Sequence, residues 1–202
     1  MFFDVSSPTS PDAWQSLSIF YGYTPLAYLL MCLVAFAITK GGTREFGYMA
    51  VAGVSAGVVE ILKSVIKQSR PSGSLCTTTY GMPSGHSSMS LAWIALLALD
   101  MTVSKSRSLS IPLVVVTLSL FLLLPVPVSR VILGDHSASQ ALAGSLLGLA
   151  IGSVWFAITI PVRKALAPYQ GTRLLWLFNH NYSPLVPAKS AEDEEDSEKL
   201  GV

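Results

Sequence analysis

Residues 138–160 read ASQALAGSLLGLAIGSVWFAITI and contain no charged side chain. About 20 apolar residues in a helix span the hydrocarbon core of a bilayer, so this run predicts a transmembrane helix. Four further runs of similar character occupy, roughly, residues 22–39, 47–66, 88–104 and 111–128. The 202-residue chain is 51% hydrophobic and 12% charged, whereas a soluble domain carries about 25% charged residues. The sequence therefore predicts an all-α, polytopic membrane bundle of about five transmembrane helices.

Basic residues near the ends of the runs predict the orientation of this bundle. Five spans place the N-terminus and the loops at 67–87 and 129–137 on one side of the membrane. The opposite side then carries Lys40, Arg44, Lys105, Arg107, Arg163, Lys164 and Arg173. Because cytoplasmic loops are enriched in Lys and Arg, the C-terminal tail is expected to be cytoplasmic and the two loops extracytoplasmic. Four spans are the alternative, if the run from Ile111 is re-entrant or the first run is interfacial.

The predicted organisation is an extracytoplasmic N-terminus at 1–21, a membrane domain at 22–160 and a cytoplasmic tail at 161–202. Half of the 12 acidic residues lie at 192–198, so the end of the tail is expected to be disordered. The formal net charge of +1 gives no reason to expect a nucleic acid partner.

Small residues are concentrated in two of the predicted helices. The second run contains Gly53 and Gly57, and the fifth contains Gly144, Gly148 and Gly152. Such spacing lets helix backbones approach closely in lipid. It favours packing within the bundle, with a homodimer through these faces as the alternative.

Ionisable side chains gather at the extracytoplasmic ends of the predicted helices, where they mark a functional site by default. Lys63, Arg70 and Arg130 suit the oxygens of a phosphate group, since guanidinium groups bind such oxygens in pairs. His86 and His136 provide one nucleophile and one general acid. No carboxylate cluster or His/Cys cluster marks a metal site, so cationic side chains are expected to supply the electrostatic stabilisation.

Several of these residues also have simpler interpretations. Lys63 and Arg70, taken singly, are typical of basic flanks whose side chains reach the membrane surface. Glu60 lies three residues before Lys63 and is predicted to be its buried partner or a polar packing residue rather than a catalytic acid. Asp135 is predicted to cap the fifth helix, with a direct role in the site as the alternative.

Three motifs follow one another along the chain: Lys63-(six residues)-Arg70-Pro71, Pro83-Ser84-Gly85-His86, and Ser129-Arg130-(five residues)-His136. Together they resemble the three-part signature of the type-2 phosphatidic acid phosphatase superfamily, which vanadium haloperoxidases and glucose-6-phosphatase share. The resemblance covers about residues 45–160 and implies a membrane phosphatase that uses no metal or other cofactor.

The resemblance also implies the role of each matching residue. His136 would attack phosphorus and form a phosphohistidine, and His86 would protonate the leaving group and then activate water. The phosphoryl group would be held by Lys63, Arg70, Arg130 and the backbone of Ser84 and Gly85.

One position departs from the commonest form of the signature. The third motif of the family often ends with Asp four residues after the nucleophile, and this chain has Gln140 there. At that spacing on a helix, the Gln140 amide is expected to reach the imidazole of His136 and fix its tautomer.

Gln140 and the segment at 80–87 resemble the branch of dolichyl diphosphate phosphatases. The expected substrate is therefore a membrane lipid, a polyprenyl (dolichyl) diphosphate, at the lumenal face of the endoplasmic reticulum. A phosphatidate, lysophosphatidate or sphingoid-phosphate phosphatase and an inactive lipid-binding relative are the alternatives.

Overall fold

The computed structural model describes residues 5–38, 43–75, 79–103 and 110–166, so the acidic tail and its predicted disorder lie outside the described residues. Within these ranges the chain is helical and contains no strand. The helices are α1 (Ala13–Ile38), α2 (Thr43–Ile66), α3 (Gly85–Val103), α4 (Ser110–Leu123), α5 (Val126–Ile132) and α6 (Ala138–Leu166). The segments long and apolar enough to cross a membrane are Ala13–Ile38, Glu45–Ile66, Leu113–Ile132 and Ala138–Val162. The predicted all-α membrane bundle is confirmed.

Helix α3 lies at the centre of the bundle and packs against α2, α4, α5 and α6. All residues from 83 to 93 are buried, several serines among them. The Ser88 hydroxyl lies 2.9 Å from that of Ser55 in α2, and the Trp93 indole donates to the Tyr48 carbonyl at 2.8 Å. Since no water is available at this depth, such bonds satisfy the polar groups and fix α3 to α2.

Helix α1 begins well before the apolar run that predicted it. Its first turn is capped by Asp12 and Gln15, which bond reciprocally. The Gln15 N–H donates to the Asp12 carboxylate at 2.7 Å, and the Asp12 N–H donates to the Gln15 side chain at 3.1 Å. This capping box starts the helix at Ala13, nine residues before the predicted run.

The fourth apolar run is not one continuous helix but is divided between α4 and α5 at Pro125. Proline has no N–H to donate to the preceding turn, and its ring clashes there. The hydroxyl of Thr24 in α1 donates to the Leu122 carbonyl at 2.9 Å, which satisfies a backbone acceptor at the break. The division frees α5 to carry Ser129 and Arg130 into the buried end of the bundle.

The glycines of α6 pack directly on the backbone of α3. A Cβ atom at Gly144, Gly148 or Gly152 would lie 2.3, 2.1 and 2.3 Å from the carbonyl oxygens of residues 84, 88 and 92, respectively. The predicted packing within the bundle is therefore confirmed for this helix. Gly53 and Gly57 of α2 are exposed with open space around them, and a homodimer through them stays a prediction.

Gly148→Ala is expected to destabilise the protein by about 1–3 kcal/mol, because the added methyl overpacks a backbone contact that cannot yield. Gly57→Ala is the matched control, since its methyl would enter open space. Thermal unfolding in detergent should show a lower midpoint for Gly148→Ala alone. Equal midpoints for the two variants would contradict the α3–α6 contact.

Candidate active site

The predicted site residues meet at one end of the bundle, where α2 ends, α3 begins and α5 turns into α6. Arg130, His136, Lys63 and Arg70 all lie close enough to His86 to interact with it electrostatically. Arg70 is partly buried. The buried members are Lys63, Ser84, His86, Arg130, His136 and Gln140. The structure thus brings together side chains from all three motifs.

The imidazole of His136 is held by a backbone carbonyl. Its Nδ1 lies 2.8 Å from the carbonyl oxygen of Gly81. A carbonyl only accepts hydrogen bonds, so Nδ1 carries the proton and Nε2 presents its lone pair. Nε2 lies 3.4 Å from Nη1 of Arg70, which places the lone pair beside a cation.

Burial, together with the positive charges of Arg70 and Arg130, lowers the pKa of His136 to about 3. Burial and like charges both disfavour the imidazolium form. The ring is therefore neutral throughout the physiological range of pH, as a nucleophile must be.

The protonation state of His136 is directly measurable because the chain has 3 histidines. In a ¹⁵N-histidine spectrum, His136 is expected to keep a protonated Nδ1 and an unprotonated Nε2 from pH 8 down to pH 5, roughly two units above its lowered pKa. The His136→Ala spectrum assigns the signal. A ring that titrates near its ordinary pKa would contradict this electrostatic environment.

Arg70 is fixed by three hydrogen bonds to neutral oxygens. Its Nε donates to the Thr79 carbonyl at 3.0 Å, and its Nη2 donates to the Thr79 hydroxyl at 2.9 Å. Its Nη1 donates to the Asp135 carbonyl at 3.0 Å. The guanidinium is thus preorganised without a carboxylate partner among the described residues, and it keeps its full charge for an anion.

The turn between α5 and α6 sets the position of His136. Gly134 has φ of 72°, a left-handed conformation that glycine adopts without strain. The N–H groups of Asp135 and His136 then both turn back to the Arg130 carbonyl, at 3.1 and 3.2 Å. One tight turn therefore places Arg130, the candidate for phosphate binding, beside His136, the candidate nucleophile.

Two carboxylates accompany the cations. Glu60 bonds the Lys63 ammonium at 3.2 Å, although the Glu60 side chain is half exposed rather than buried. Asp135 pairs with Nη2 of Arg130 at 2.9 Å. The expectation that Asp135 caps the last helix is wrong, because that position belongs to Ser137, whose hydroxyl accepts from the Gln140 N–H at 3.3 Å.

The expectation that the Gln140 amide reaches the His136 ring is also wrong. Its Oε1 accepts from the Ser137 N–H at 3.1 Å, which completes a capping box at the start of α6. Its Nε2 donates to the Gln68 side chain at 3.1 Å and to the Ser69 carbonyl at 2.8 Å. The side chain therefore folds back over the helix terminus and binds the 67–70 segment instead.

Gln140 nevertheless supports the imidazole through Gly81. A Cβ atom on Gly81 would lie 2.6 Å from both terminal atoms of the Gln140 amide, and the Gly81 N–H donates to the Gln68 carbonyl at 2.8 Å. Gln140, Gln68 and Gly81 are thus in mutual contact. The carbonyl that fixes the His136 tautomer is part of this cluster, which the sequence pattern did not reveal.

Gly81→Ala is expected to lower kcat/KM by about 10- to 100-fold, since displacing the carbonyl loosens the positioning of the nucleophile. Gly73→Ala, in the same loop, adds its methyl to open space and is the matched control. Phosphate-release kinetics of both variants decide the matter. Comparable kcat/KM values for the two would mean that the Gly81 carbonyl does not position His136.

The start of α3 corrects one further expectation. The Ser84 N–H donates to the Gln140 carbonyl at 3.1 Å, so it is not available to a phosphate. The Ser84 hydroxyl accepts from Ser87 at 3.0 Å. The N–H groups of residues 85–87, in the first turn, have no partner within the helix. They lie at the positive end of its dipole.

The sequence model of the PAP2 superfamily matches residues 44–163. The chain belongs to the PAP2 superfamily. The matched range includes every predicted site residue, whereas α1 and the segment before it lie outside. In general terms the protein is therefore a membrane lipid phosphatase of this superfamily. No curated protein and no solved structure shows a significant match to the chain.

Proposed function

We propose that this PAP2 protein hydrolyses the terminal phosphate of a polyprenyl diphosphate of the dolichyl type, through a phosphohistidine on His136. The observation that carries the chemistry is the His136 ring, which is buried and bonded at Nδ1 to Gly81 with Nε2 beside Arg70. The substrate class is supported by Gln140 and by the resemblance of residues 80–87.

The proposed first step is attack of Nε2 of His136 on the terminal phosphorus. The bond between phosphorus and the bridging oxygen breaks, and His86, which the bound phosphate anion stabilises as the imidazolium, gives a proton to that oxygen as the lipid monophosphate leaves. In the second step His86 takes a proton from water, whose oxygen attacks phosphorus as the bond to Nε2 breaks. Inorganic phosphate is released, and both histidines return to their starting states.

Charge stabilisation in both steps comes from the surrounding cations. Arg70 is the strongest candidate for a direct contact, because its hydrogen bonds go to neutral groups and leave its charge uncompensated. Arg130 and Lys63 each have a carboxylate nearby, so they contribute less net charge. Fixed cations in a site with little water stabilise the transferring phosphoryl group without reorganisation.

The proposal includes no metal ion. Among residues 5–38, 43–75, 79–103 and 110–166, no three His, Cys, Asp or Glu side chains form a group that would hold one. The placement that we propose is the endoplasmic reticulum membrane, with the site at the lumenal face and the C-terminus in the cytoplasm. The exposed apolar side chains on the outer faces of the helices suit contact with lipid.

Phosphate release by the purified protein in detergent with EDTA tests this proposal. Dolichyl diphosphate, dolichyl monophosphate and phosphatidate are compared, with His136→Ala as the blank. EDTA-resistant release from the diphosphate alone is expected. Preference for phosphatidate would keep the mechanism and change the substrate class. No release from any of the three by folded protein would contradict the proposal and support an inactive lipid-binding relative.

A further inference from the structure

Ser6 lies far from the site in the sequence but is buried against it. The residues before α1, at 5–12, cross the site end of the bundle and form what we call the N-terminal strap. Ser6 is 3% exposed, whereas residues 7 and 9–12 of the strap are exposed. Its N–H donates to Oδ2 of Asp135 at 3.3 Å, and its hydroxyl donates to Oδ1. Both carboxylate oxygens are therefore bound by one residue.

The same carboxylate holds Arg130. Oδ2 of Asp135 lies 2.9 Å from Nη2 of Arg130, and the two side chains are 0% and 1% exposed. A buried ion pair is stable only when further hydrogen bonds satisfy the charges that have lost their water. Ser6 donates two such bonds to the Asp135 carboxylate and so fixes the position of the group that pairs with the Arg130 guanidinium.

Gly22 of α1 lies close both to the strap and to Arg130. A Cβ atom at Gly22 of α1 would lie 2.7 Å from Cγ1 of Val5 and 3.3 Å from Nη1 of Arg130. The absence of a side chain at Gly22 therefore allows the strap, α1 and the guanidinium to meet at one point. Arg130 thus lies against Gly22 and beside the carboxylate that Ser6 binds, and the superfamily match at 44–163 includes neither Gly22 nor Ser6.

We propose that the N-terminal strap positions Arg130 for phosphate binding, with Ser6 acting through Asp135. This inference rests on the proposed function, in which Arg130 holds the phosphoryl group. Ser6 is a positioning residue and does not contact the substrate. The strap thus completes the phosphate site from outside the matched range.

The test compares Ser6→Ala, Ser6→Thr and Ser7→Ala in the full chain. Ser6→Ala removes the hydroxyl bond to Asp135, Ser6→Thr keeps it, and Ser7 is an exposed neighbour. Inhibition by inorganic orthovanadate and the KM for lipid report phosphate binding. In Ser6→Ala the affinity for orthovanadate is expected to fall, and the KM for lipid to rise, each by about tenfold. This is the scale of a lost hydrogen bond to a charged group. Ser6→Thr and Ser7→Ala should stay within about twofold of the wild type, since both keep that bond.

A purely structural role predicts a different pattern. It would lower the unfolding midpoint and the active fraction in Ser6→Ala, and hence kcat, while leaving KM and the orthovanadate affinity of the folded molecules unchanged. That result would overturn the proposal. Weakened orthovanadate binding by folded Ser6→Ala, with or without a lower kcat, would support it.

A second variant keeps the test decisive if Ser6→Ala does not fold. Asp135→Asn retains the size of the side chain and breaks the ion pair that positions Arg130. We expect this loss of positioning to outweigh the added net positive charge and to weaken orthovanadate binding to a similar extent. Adding Ser6→Ala or Ser6→Cys to Asp135→Asn should then cost less than about twofold more, because the two act in series. A full additional loss would show that Ser6 does not act through Asp135.

The outcome also separates this inference from the proposed function. If the wild type releases phosphate and Ser6→Ala behaves like Ser7→Ala, the strap proposal fails and the phosphatase stands. If the wild type is inactive on every lipid, the proposed function fails. The strap proposal can then still be tested, because calorimetry measures the orthovanadate affinity of the wild type and of Ser6→Ala without any turnover. Absence of any orthovanadate binding would overturn both.

Discussion

Replacing His136 with alanine is expected to reduce phosphate release from the lipid substrate by roughly a thousandfold or more, because the attacking atom is lost. The Nε2 lone pair beside Arg70 has no substitute at the same place. The imidazole of His86 lies in the first turn of α3 rather than in the turn that carries His136, and it is proposed to transfer protons. Phosphate release at saturating lipid measures the effect.

His180→Ala is the matched control, since His180 is the remaining histidine of the chain and belongs to none of the three motifs. It should retain the activity of the wild type. The unfolding midpoint of His136→Ala in detergent should show that the variant is folded. Activity within about tenfold of the wild type would remove His136 from the role of nucleophile.

The second large effect is expected at His86, and it falls mainly on the second half-reaction, in which His86 activates water. With a lipid substrate, His86→Asn should lose about 10²- to 10⁴-fold in rate, the usual contribution of a positioned acid or base. The lipid monophosphate that leaves the diphosphate is a stable anion, and so is the phenolate that leaves an aryl phosphate, so neither leaving group strictly requires the proton. Formation of the phosphohistidine should therefore be largely preserved with either substrate.

The second half-reaction still needs His86 to activate water. His86→Asn is accordingly expected to release one aryl alcohol per active site in a burst and then to turn over slowly. His136→Ala should give no burst, so it is the control for the burst of His86→Asn. Absence of a burst from folded His86→Asn, or steady turnover at the wild-type rate, would contradict the assignment of His86 to the activation of water.

The helices were predictable because bilayer thickness imposes a length and an apolar composition on each span. Their ends were less predictable, since α1 begins at a polar capping box and the fourth run breaks at Pro125. Both features have sequence signals, Asp12 with Gln15 and an internal proline. The predicted helix ends follow hydropathy, which does not register a capping box or a single proline.

The gathering of the candidate site residues was predictable from their order and their positions at helix ends, whereas their individual contacts were not. The pair Ser137 and Gln140 carries the Ser-x-x-Gln pattern of a capping box, which is the signal that competes with contact between Gln140 and His136. The Gly81 carbonyl carries no side chain to identify it. The bond between Ser6 and Asp135 joins residues 129 positions apart, and no local pattern predicts such a pair.

In the proposed mechanism the phosphoryl group passes through His136, and that phosphohistidine can be trapped. His86→Asn is mixed with the aryl phosphate, quenched in base during the burst, digested and analysed by mass spectrometry. We expect the peptide that contains His136 to carry a phosphate on that residue, and we expect this phosphate to be stable in base and labile in acid. Phosphate on another residue, or an unmodified His136 peptide after a full burst, would contradict it.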